Sequence, residues 1–247
     1  MTTMPSMPTR TNSIFSRLCL ALALALALAL SACATPHPNP RDPWEGFNRP
    51  VFRFNDGLDR TVIKPVAKGY DWLVPANLQV VIGNFFANLS DLYISLNNLL
   101  QGKPKEAGGD LARVLINSSL GIGGLVDAAT GMGFEKHDED FGQTLAVWGV
   151  ASGPFVVLPV IGPRTVRDSF SLAADWEGDP LSWVKPDLLH YSLSGLHQVD
   201  KRASLLPGDK VIEAGAIDKY SYIRDAYLQH RRYEIYDGAP PPEDDEK

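Results

Sequence analysis

The sequence predicts an all-α protein that is held at a membrane by an N-terminal lipid and built from helices lying in or dipping into the bilayer. Three observations predict this class: a signal peptide that ends at a cysteine, two long uncharged segments broken by proline, glycine and asparagine, and a helix with separate apolar and polar faces. A second interpretation of the uncharged segments, the buried core of a water-soluble periplasmic domain, stays open at this point.

Residues 1–32 have the layout of a lipoprotein signal peptide. Two arginines precede an apolar run over residues 18–30, which is too short to span a bilayer as a helix. Residues 30–33, Leu-Ser-Ala-Cys, match the bacterial lipobox, so that Cys33 would carry a diacylglycerol thioether after cleavage. Ala34 follows the cysteine instead of the aspartate that is typical of inner-membrane retention. The predicted location is therefore the periplasmic side of the bacterial outer membrane, with the chain anchored by lipid.

Cleavage before Cys33 removes 32 of the 247 residues and leaves 215, with 21 basic and 29 acidic side chains and a net charge of −8. A chain of this size can bury one core as a single domain. Cys19 leaves with the signal peptide and Cys33 takes lipid, so we expect no disulfide. The negative charge argues against nucleic acid as a partner.

Two polar segments flank the predicted folded domain, which covers residues 44–237. Residues 33–43 form a lipidated tether whose proline-rich sequence, TPHPNPRDP after Ala34, does not support a helix. Residues 238–247, GAPPPEDDEK, have the composition of a disordered acidic tail. The short tether keeps the folded domain at the bilayer.

Residues 72–90 and 141–163 contain no charged side chain. Each segment is long enough for a membrane span, but the prolines, glycines and asparagines within it would leave backbone groups unpaired in lipid. Such backbone is tolerated only where protein or a water-filled cavity covers it. We therefore expect helices in the plane of the membrane, with their broken parts turned inward.

Residues 78–101 form the most regular predicted helix. Phe85, Leu89, Leu92, Leu96 and Leu99 fall on one face at 100° per residue. The second face is a polar stripe with one carboxylate, made of Asn84, Asn88, Asp91, Ser95 and Asn98. A helix that faces bulk water usually carries lysine and glutamate there. The stripe therefore indicates a channel lining or a polar contact with another helix.

A second helix is predicted over residues 110–120, where Asp110 and Arg113 have the spacing of a surface ion pair. Gly121, Gly123 and Gly124 follow and predict the end of this helix and a candidate hinge.

The sequence contains no pattern typical of catalysis, neither Gly-x-Ser-x-Gly nor a Walker A motif, so we predict no catalytic residues, no enzymatic activity and no cofactor. Residues 137–140, His-Asp-Glu-Asp, allow a metal cluster but are more typical of a solvated acidic turn. His190 and His197 have no carboxylate at ligand spacing. The tyrosines and arginines of residues 212–236 fit a protein interface, a membrane–water boundary, or a helix packed on its own domain.

Several sequence blocks, in the same order along the chain, resemble the MlaA (VacJ) family of outer-membrane lipoproteins. They include DPWEGFNR at residues 42–49, FRFN at 52–55, NFFANL at 84–89, NLLQG at 98–102, NSSLGIGGLVD at 117–127, DFGQTL at 140–145, GPFVVLP at 153–159 and YIRDAY at 222–227. The resemblance covers residues 44–236, nearly all of the predicted mature chain.

The resemblance implies a helical, ring- or disc-shaped domain embedded mostly in the inner leaflet of the outer membrane around an amphipathic central channel. It also implies trimeric porins as partners and phospholipids as cargo. The cargo would leave the outer leaflet and pass to a soluble periplasmic carrier that feeds an inner-membrane ABC transporter, which maintains lipid asymmetry. In such a domain the polar stripe becomes a candidate for the channel wall.

Two other classes of function remain. A structural, porin-associated scaffold lipoprotein would account for the C-terminal tyrosines and arginines without requiring an uncharged polar stripe. A phospholipid hydrolase would occupy the same membrane, but it needs a nucleophile and a base that the sequence does not display.

Overall fold

The computed structural model describes residues 39–215 and 217–242, so that the predicted signal peptide, Cys33 and the end of the tail lie outside the described residues. The described chain is mainly helical, which confirms the helical class, whereas its embedding in a bilayer stays a prediction. Its helices are α1 (Glu45–Leu58), α2 (Lys64–Leu73), α3 (Ala76–Leu100), α4 (Pro104–Ser119), α5 (Ala128–Gly131), α6 (Phe141–Val147), α7 (Val166–Gly178), α8 (Asp187–Ser204), α9 (Leu206–Gly215) and α10 (Lys219–Ile235). A π-helical segment (Asp59–Ile63) joins α1 to α2, and a 3-10 turn (Pro180–Trp183) precedes α8.

Helix α3, with 25 residues, packs along α4. Proline marks both starts: Pro75 precedes α3 and Pro104 is the first residue of α4, where its missing N–H costs no helical bond. Gly102, with φ of +78°, allows the tight reversal between them. The predicted helix over residues 78–101 is confirmed to within two residues, whereas α4 begins six residues before the predicted position 110.

In the part of the chain that the structure describes, no helix combines the length and the hydropathy that crossing a membrane requires. The first uncharged segment is divided as predicted. Trp72 and Leu73 end α2, Val74 is extended, and α3 starts after Pro75. The second segment begins as helix α6, which also agrees with the prediction.

The second uncharged segment then departs from the prediction, because it forms a β-hairpin where we expected helix. Strand β1 (Phe155–Leu158) pairs antiparallel with β2 (Gly162–Thr165), and Phe155 lies opposite Thr165. Phe-Val-Val-Leu has a high strand propensity, and Pro159 with Gly162 frames the turn. Local composition therefore favours the hairpin once proline and glycine prevent a longer helix.

A small apolar core forms where α1, the hairpin and α10 meet. Phe155, Val157 and Tyr220 are buried there, with Phe52 packed against them. Asn48 of α1 fixes the edge of β1, because its Oδ1 accepts from the Val157 N–H at 2.8 Å and its Nδ2 donates to the Phe155 carbonyl at 3.1 Å. This core holds the N-terminal and C-terminal helices together.

Helix α10 packs on its own domain, which agrees with one of the three interpretations of residues 212–236. The Tyr227 hydroxyl donates to Asp168 at 2.8 Å, and Arg231 is buried against carboxylates of other helices. Tyr222, Tyr233 and Tyr236 are exposed.

Candidate functional site

The distribution of polar and apolar side chains is inverted relative to that of a water-soluble protein. Among the described residues, 18 polar or charged side chains are buried against 11 apolar ones. Large apolar side chains are exposed instead, among them Phe170, Trp183 and Leu188. Water-soluble domains bury apolar residues and rarely bury charges. The interior is therefore held together mainly by hydrogen bonds and ion pairs, and the exterior suits apolar surroundings.

Helices α3 and α4 meet through buried polar groups. Arg113 of α4 places its Nε 3.3 Å from Asp91 and its Nη2 2.9 Å from Asp127. Asp110 accepts from Asn98 Nδ2 at 2.8 Å. The predicted surface pair of Asp110 and Arg113 is therefore wrong. Both residues are buried with different partners, because their i,i+3 spacing does not reveal which side of α4 faces α3.

The five residues predicted to line a channel all lie at or beside this helix contact. Asn84 donates to the Leu125 carbonyl, Asn88 to Ser118 Oγ, Ser95 to the Ala107 carbonyl and Asn98 to Asp110, while Asp91 pairs with Arg113 and Lys136. These bonds agree with the alternative interpretation of the stripe, a polar contact with another helix. A channel-lining role for the same five residues stays a prediction.

The three candidate hinge glycines, Gly121, Gly123 and Gly124, lie in a tight turn after α4. A Cβ on Gly124, whose φ is +88°, would lie 2.6 Å from Nδ2 of Asn88, and a Cβ on Gly121 would lie 2.1 Å from the Val126 carbonyl oxygen. Close packing therefore requires glycine at these two positions. Movement of the turn stays a prediction.

A cavity of about 1370 Å³ lies between the loop after α6, the start of α7 and one side of α10. This volume exceeds the roughly 300–1000 Å³ of most small-molecule pockets. Its wall combines charged and apolar groups, including Arg41, Arg167, Arg231 and Arg232 together with Val150, Pro154, Leu228 and Ile235. The cavity can therefore accommodate a large molecule that has both charged and apolar parts.

The start of α7 places a buried carboxylate behind the cavity wall. Thr165 is the N-cap residue, and its Oγ accepts from the Asp168 backbone N–H at 3.2 Å, as capping residues do. The fully buried Asp168 carboxylate accepts from Nε and Nη2 of Arg167, at 3.2 and 3.1 Å, and from Nε and Nη2 of Arg231, at 3.2 and 3.0 Å. One carboxylate thus positions two guanidinium groups of the wall.

The electrostatics of Asp168 keep it ionised. Burial by itself would raise its pKa, but the charge and hydrogen bonds of Arg231, with the charge of Arg167, outweigh burial and lower the pKa to about 2. Asp140 adds a second carboxylate, which accepts from Arg231 at 2.7 and 2.8 Å. The two arginines are therefore held by negative charge that persists at neutral pH.

The side chains of residues 137–140 point to different partners. His137 Nδ1 lies 2.8 Å from Asp110, Glu139 accepts from Gln101 and Lys103, and Asp140 accepts from Arg231. A solvated acidic turn is therefore wrong for Glu139, which is buried. Throughout residues 39–215 and 217–242, no group of three or more histidine, cysteine, aspartate or glutamate side chains could hold a metal ion.

The cavity has no local signature in the sequence. Arg167 and Arg231 are more than sixty positions apart in the chain, and only packing of α10 on α7 brings them to one carboxylate. One local signal was available, since Thr-Val-Arg-Asp at residues 165–168 has the spacing of a helix-capping motif. It identifies the start of α7 but not its partner.

Comparison with known proteins gives one family. The sequence profile described as MlaA lipoprotein matches residues 40–234. The intermembrane phospholipid transport system lipoprotein MlaA of Escherichia coli K12 is 34% identical over 210 residues, which cover 82% of each chain. The protein of the same name from Haemophilus influenzae is 32% identical over 209 residues, 80% of each chain. An uncharacterized protein of Rickettsia typhi is 34% identical over 195 residues, 78% of each chain.

A solved structure reported as the structural basis for maintenance of bacterial outer membrane lipid asymmetry has a similar fold. It aligns with a TM-score of 0.69 and 32% identity, over 78% of this chain and 98% of that one.

Proposed function

The chain belongs to the MlaA lipoprotein family, and from this membership and the cavity we propose that it transports phospholipids between the membranes of the cell envelope. In the proposed route, mislocalised phospholipids leave the outer leaflet of the outer membrane through a passive amphipathic channel, of which the cavity is part. They then pass to a periplasmic carrier. The observation that carries the proposal is the wall of the cavity, where guanidinium groups and apolar side chains lie together.

A phospholipid joins an anionic phosphate to apolar chains, and moving its polar end through hydrocarbon without partners is costly. Arg167, in the wall of the cavity, offers the charge-assisted hydrogen bonds that phosphate oxygens accept best. Val150, Leu228 and Ile235 offer apolar surface in the same wall. The wall therefore matches both parts of such a molecule.

The indole hydrogen bonds of two of the four exposed tryptophans support residence in a bilayer. Trp148 is 55% exposed and Trp183 is 72% exposed. Their indole N–H groups nevertheless donate to the carbonyls of Leu100 and Glu177, at 3.0 and 2.9 Å. An exposed N–H in water needs no internal partner, whereas one in hydrocarbon does. These contacts are the arrangement that lipid surroundings favour.

The turn over residues 120–126 likewise combines exposed apolar side chains with N–H groups that have internal partners. It contains no charged residue, and Ile122 at its tip is 71% exposed. The N–H groups of Gly123, Gly124 and Val126 all donate to nearby carbonyls, at 2.8 to 3.1 Å. An irregular segment with apolar side chains and internally bonded backbone is suited to contact with acyl chains.

The proposed transport consumes no nucleotide and needs no catalytic group, so its direction follows the lipid gradient or the affinity of the acceptor. We place the protein on the periplasmic side of the outer membrane, anchored through Cys33 and associated with a trimeric porin. The proposed carrier delivers lipid to an inner-membrane ABC transporter.

The test labels outer-leaflet phosphatidylethanolamine on intact cells with an impermeant amine-reactive probe. Deletion of the gene is expected to raise labelling, and the wild-type gene is expected to restore it. Ala151→Trp places a bulky indole in the cavity wall, which narrows the cavity, and it is expected not to restore labelling to the wild-type level, at unchanged protein abundance. Ala76→Trp, at the exposed start of α3, is the matched control and is expected to restore it.

Two results would contradict the proposal. Unchanged labelling on deletion would favour the scaffold function instead. Full restoration by Ala151→Trp would exclude the cavity from the transport route.

A further inference from the structure

Building on the proposed function, we infer that Arg167 binds the phosphate group of the lipid inside the cavity, whereas Arg231 only positions the wall. Both side chains belong to the same wall and share Asp168, but their hydrogen bonding differs. Arg167 has N–H bonds without an acceptor, whereas every N–H bond of the Arg231 guanidinium already has one.

Arg231 has no donor left for a ligand. A guanidinium group carries five N–H bonds. Arg231 makes five hydrogen bonds: two to Asp140, two to Asp168 and one to Glu234, at 2.7 to 3.2 Å. Its negative partners surround it, so Arg231 serves to fix helices α6, α7 and α10 around the cavity.

Arg167 is bonded less completely. Within the described residues it makes three hydrogen bonds, of which two go to a single oxygen of Asp168. The third, from Nη1 to the Val150 carbonyl, is 3.4 Å long and therefore weak. Two N–H bonds thus have no acceptor, although only 4% of the side chain is exposed. A buried donor without an acceptor is unfavourable, so an anion at this position would be stabilised.

The surroundings favour a phosphate over other anions. Asp168 holds the planar guanidinium in one orientation, and such a preorganised fork matches the tetrahedral oxygens of phosphate. The cavity wall carries four arginines and a single carboxylate, Asp225, while Asp168 and Asp140 lie behind it and bind Arg167 and Arg231. Val150 and Pro154 beside Arg167 provide apolar surface for a glycerol backbone. A phosphodiester and inorganic phosphate share the recognised group.

The experiment measures ligand binding to the purified mature chain in an uncharged detergent by titration calorimetry. The three probes are dihexanoyl phosphatidylglycerol, dihexanoyl glycerol without phosphate, and inorganic phosphate. Wild-type protein is expected to bind the phospholipid at least tenfold more tightly than either of the other probes. Arg167→Gln is expected to weaken phospholipid binding about tenfold or more, because it removes charge-assisted hydrogen bonds.

The control variant is Arg164→Gln, which removes an arginine of β2 that lies outside the cavity wall and is expected to leave binding unchanged. Circular dichroism establishes that each variant is folded. If Arg167→Gln does not fold, a second pair of variants, both at Val150, tests the inference with Arg167 unchanged. Val150→Glu places a carboxylate in the cavity wall at the residue whose carbonyl accepts from Arg167, and it is expected to bind the phospholipid at least tenfold more weakly than Val150→Gln.

Equal phospholipid affinity for Arg167→Gln and wild type would overturn the inference, as would equal affinity for the Val150→Glu and Val150→Gln pair. Inorganic phosphate binding as tightly as the phospholipid would assign the site to free phosphate and overturn the lipid assignment. The labelling experiment distinguishes failure of the inference from failure of the proposed function. If deletion of the gene raises labelling while Arg167→Gln binds the phospholipid normally, only the inference fails; if deletion leaves labelling unchanged, the proposed function fails.

Discussion

Replacing Gly142 by alanine is expected to destabilise the protein, although alanine is the better helix former. Gly142 is buried in α6 beside the charged network of the cavity wall. A Cβ at this position would lie 2.4 Å from Nη2 of Arg231 and 2.6 Å from Oδ1 of Asp168. Real Cβ contacts are essentially never below 3.0 Å, so the ion pair or the helix has to move.

The size of the effect follows from the bonds that this movement breaks. Nη2 of Arg231 has to retreat by about 1 Å to reach ordinary van der Waals contact at 3.4 Å. It now lies 2.7 Å from Asp140 and 3.0 Å from Asp168. Each charged hydrogen bond contributes about 1.5–3 kcal/mol, and alanine offsets about 1 kcal/mol through helix propensity. The expected net loss is about 2–5 kcal/mol.

The assay is guanidinium chloride unfolding of the purified mature chain in an uncharged detergent, followed by circular dichroism. Gly108→Ala in α4 is the matched control, because a Cβ there has no atom within 4 Å. It carries the same gain in helix propensity and is expected to raise the free energy of unfolding by up to about 1 kcal/mol. The two substitutions should therefore change stability in opposite directions.

An equal free energy of unfolding for Gly142→Ala and Gly108→Ala would refute this expectation. It would mean that Arg231 can leave Asp140 and Asp168 without loss, and that the buried ion pairs do not hold the wall of the cavity.

Two further predictions concern acid stability and membrane contact. Because the folded-state pKa of Asp168 is lowered from 3.8 to about 2, its contribution is complete above pH 3.8 and is lost as the pH falls towards 2. Unfolding titrations should show a loss of about 2 kcal/mol from this group, absent in Asp168→Asn, and equal acid slopes would contradict it. In reconstituted variants that keep Trp148 or Trp183 as the single tryptophan of the five, brominated acyl chains should quench the fluorescence more than aqueous iodide does. The reverse order would contradict their placement in lipid.

Much of the helical framework could be predicted from local sequence. The long helix α3 shows its apolar and polar faces through spacing alone, and Pro75 and Pro104 mark the helix starts within a few residues. These features depend on neighbours within one or two turns, which the sequence displays directly. The hairpin was missed because Phe155–Leu158, a short apolar run, does not distinguish strand from helix by periodicity.

The candidate site depended on contacts that no local pattern encodes. The polar stripe of α3 was recognised as unusual, but its partner on α4 was not, and Arg113 was expected at the surface. The spacing of Asp110 and Arg113 is the same whether their side of the helix faces solvent or another helix. Burial by a second helix decides which of the two applies.

The sequence by itself determined the lipobox at Cys33, the mainly helical class and the resemblance that membership of the MlaA lipoprotein family confirms. Only the tertiary structure decided that the interior is polar and that Asp168 positions two arginines at a cavity. The physical reason is the range of the interactions. Helix periodicity, caps and breakers act over a few residues, whereas the cavity wall joins segments more than sixty residues apart, which meet only when whole helices pack.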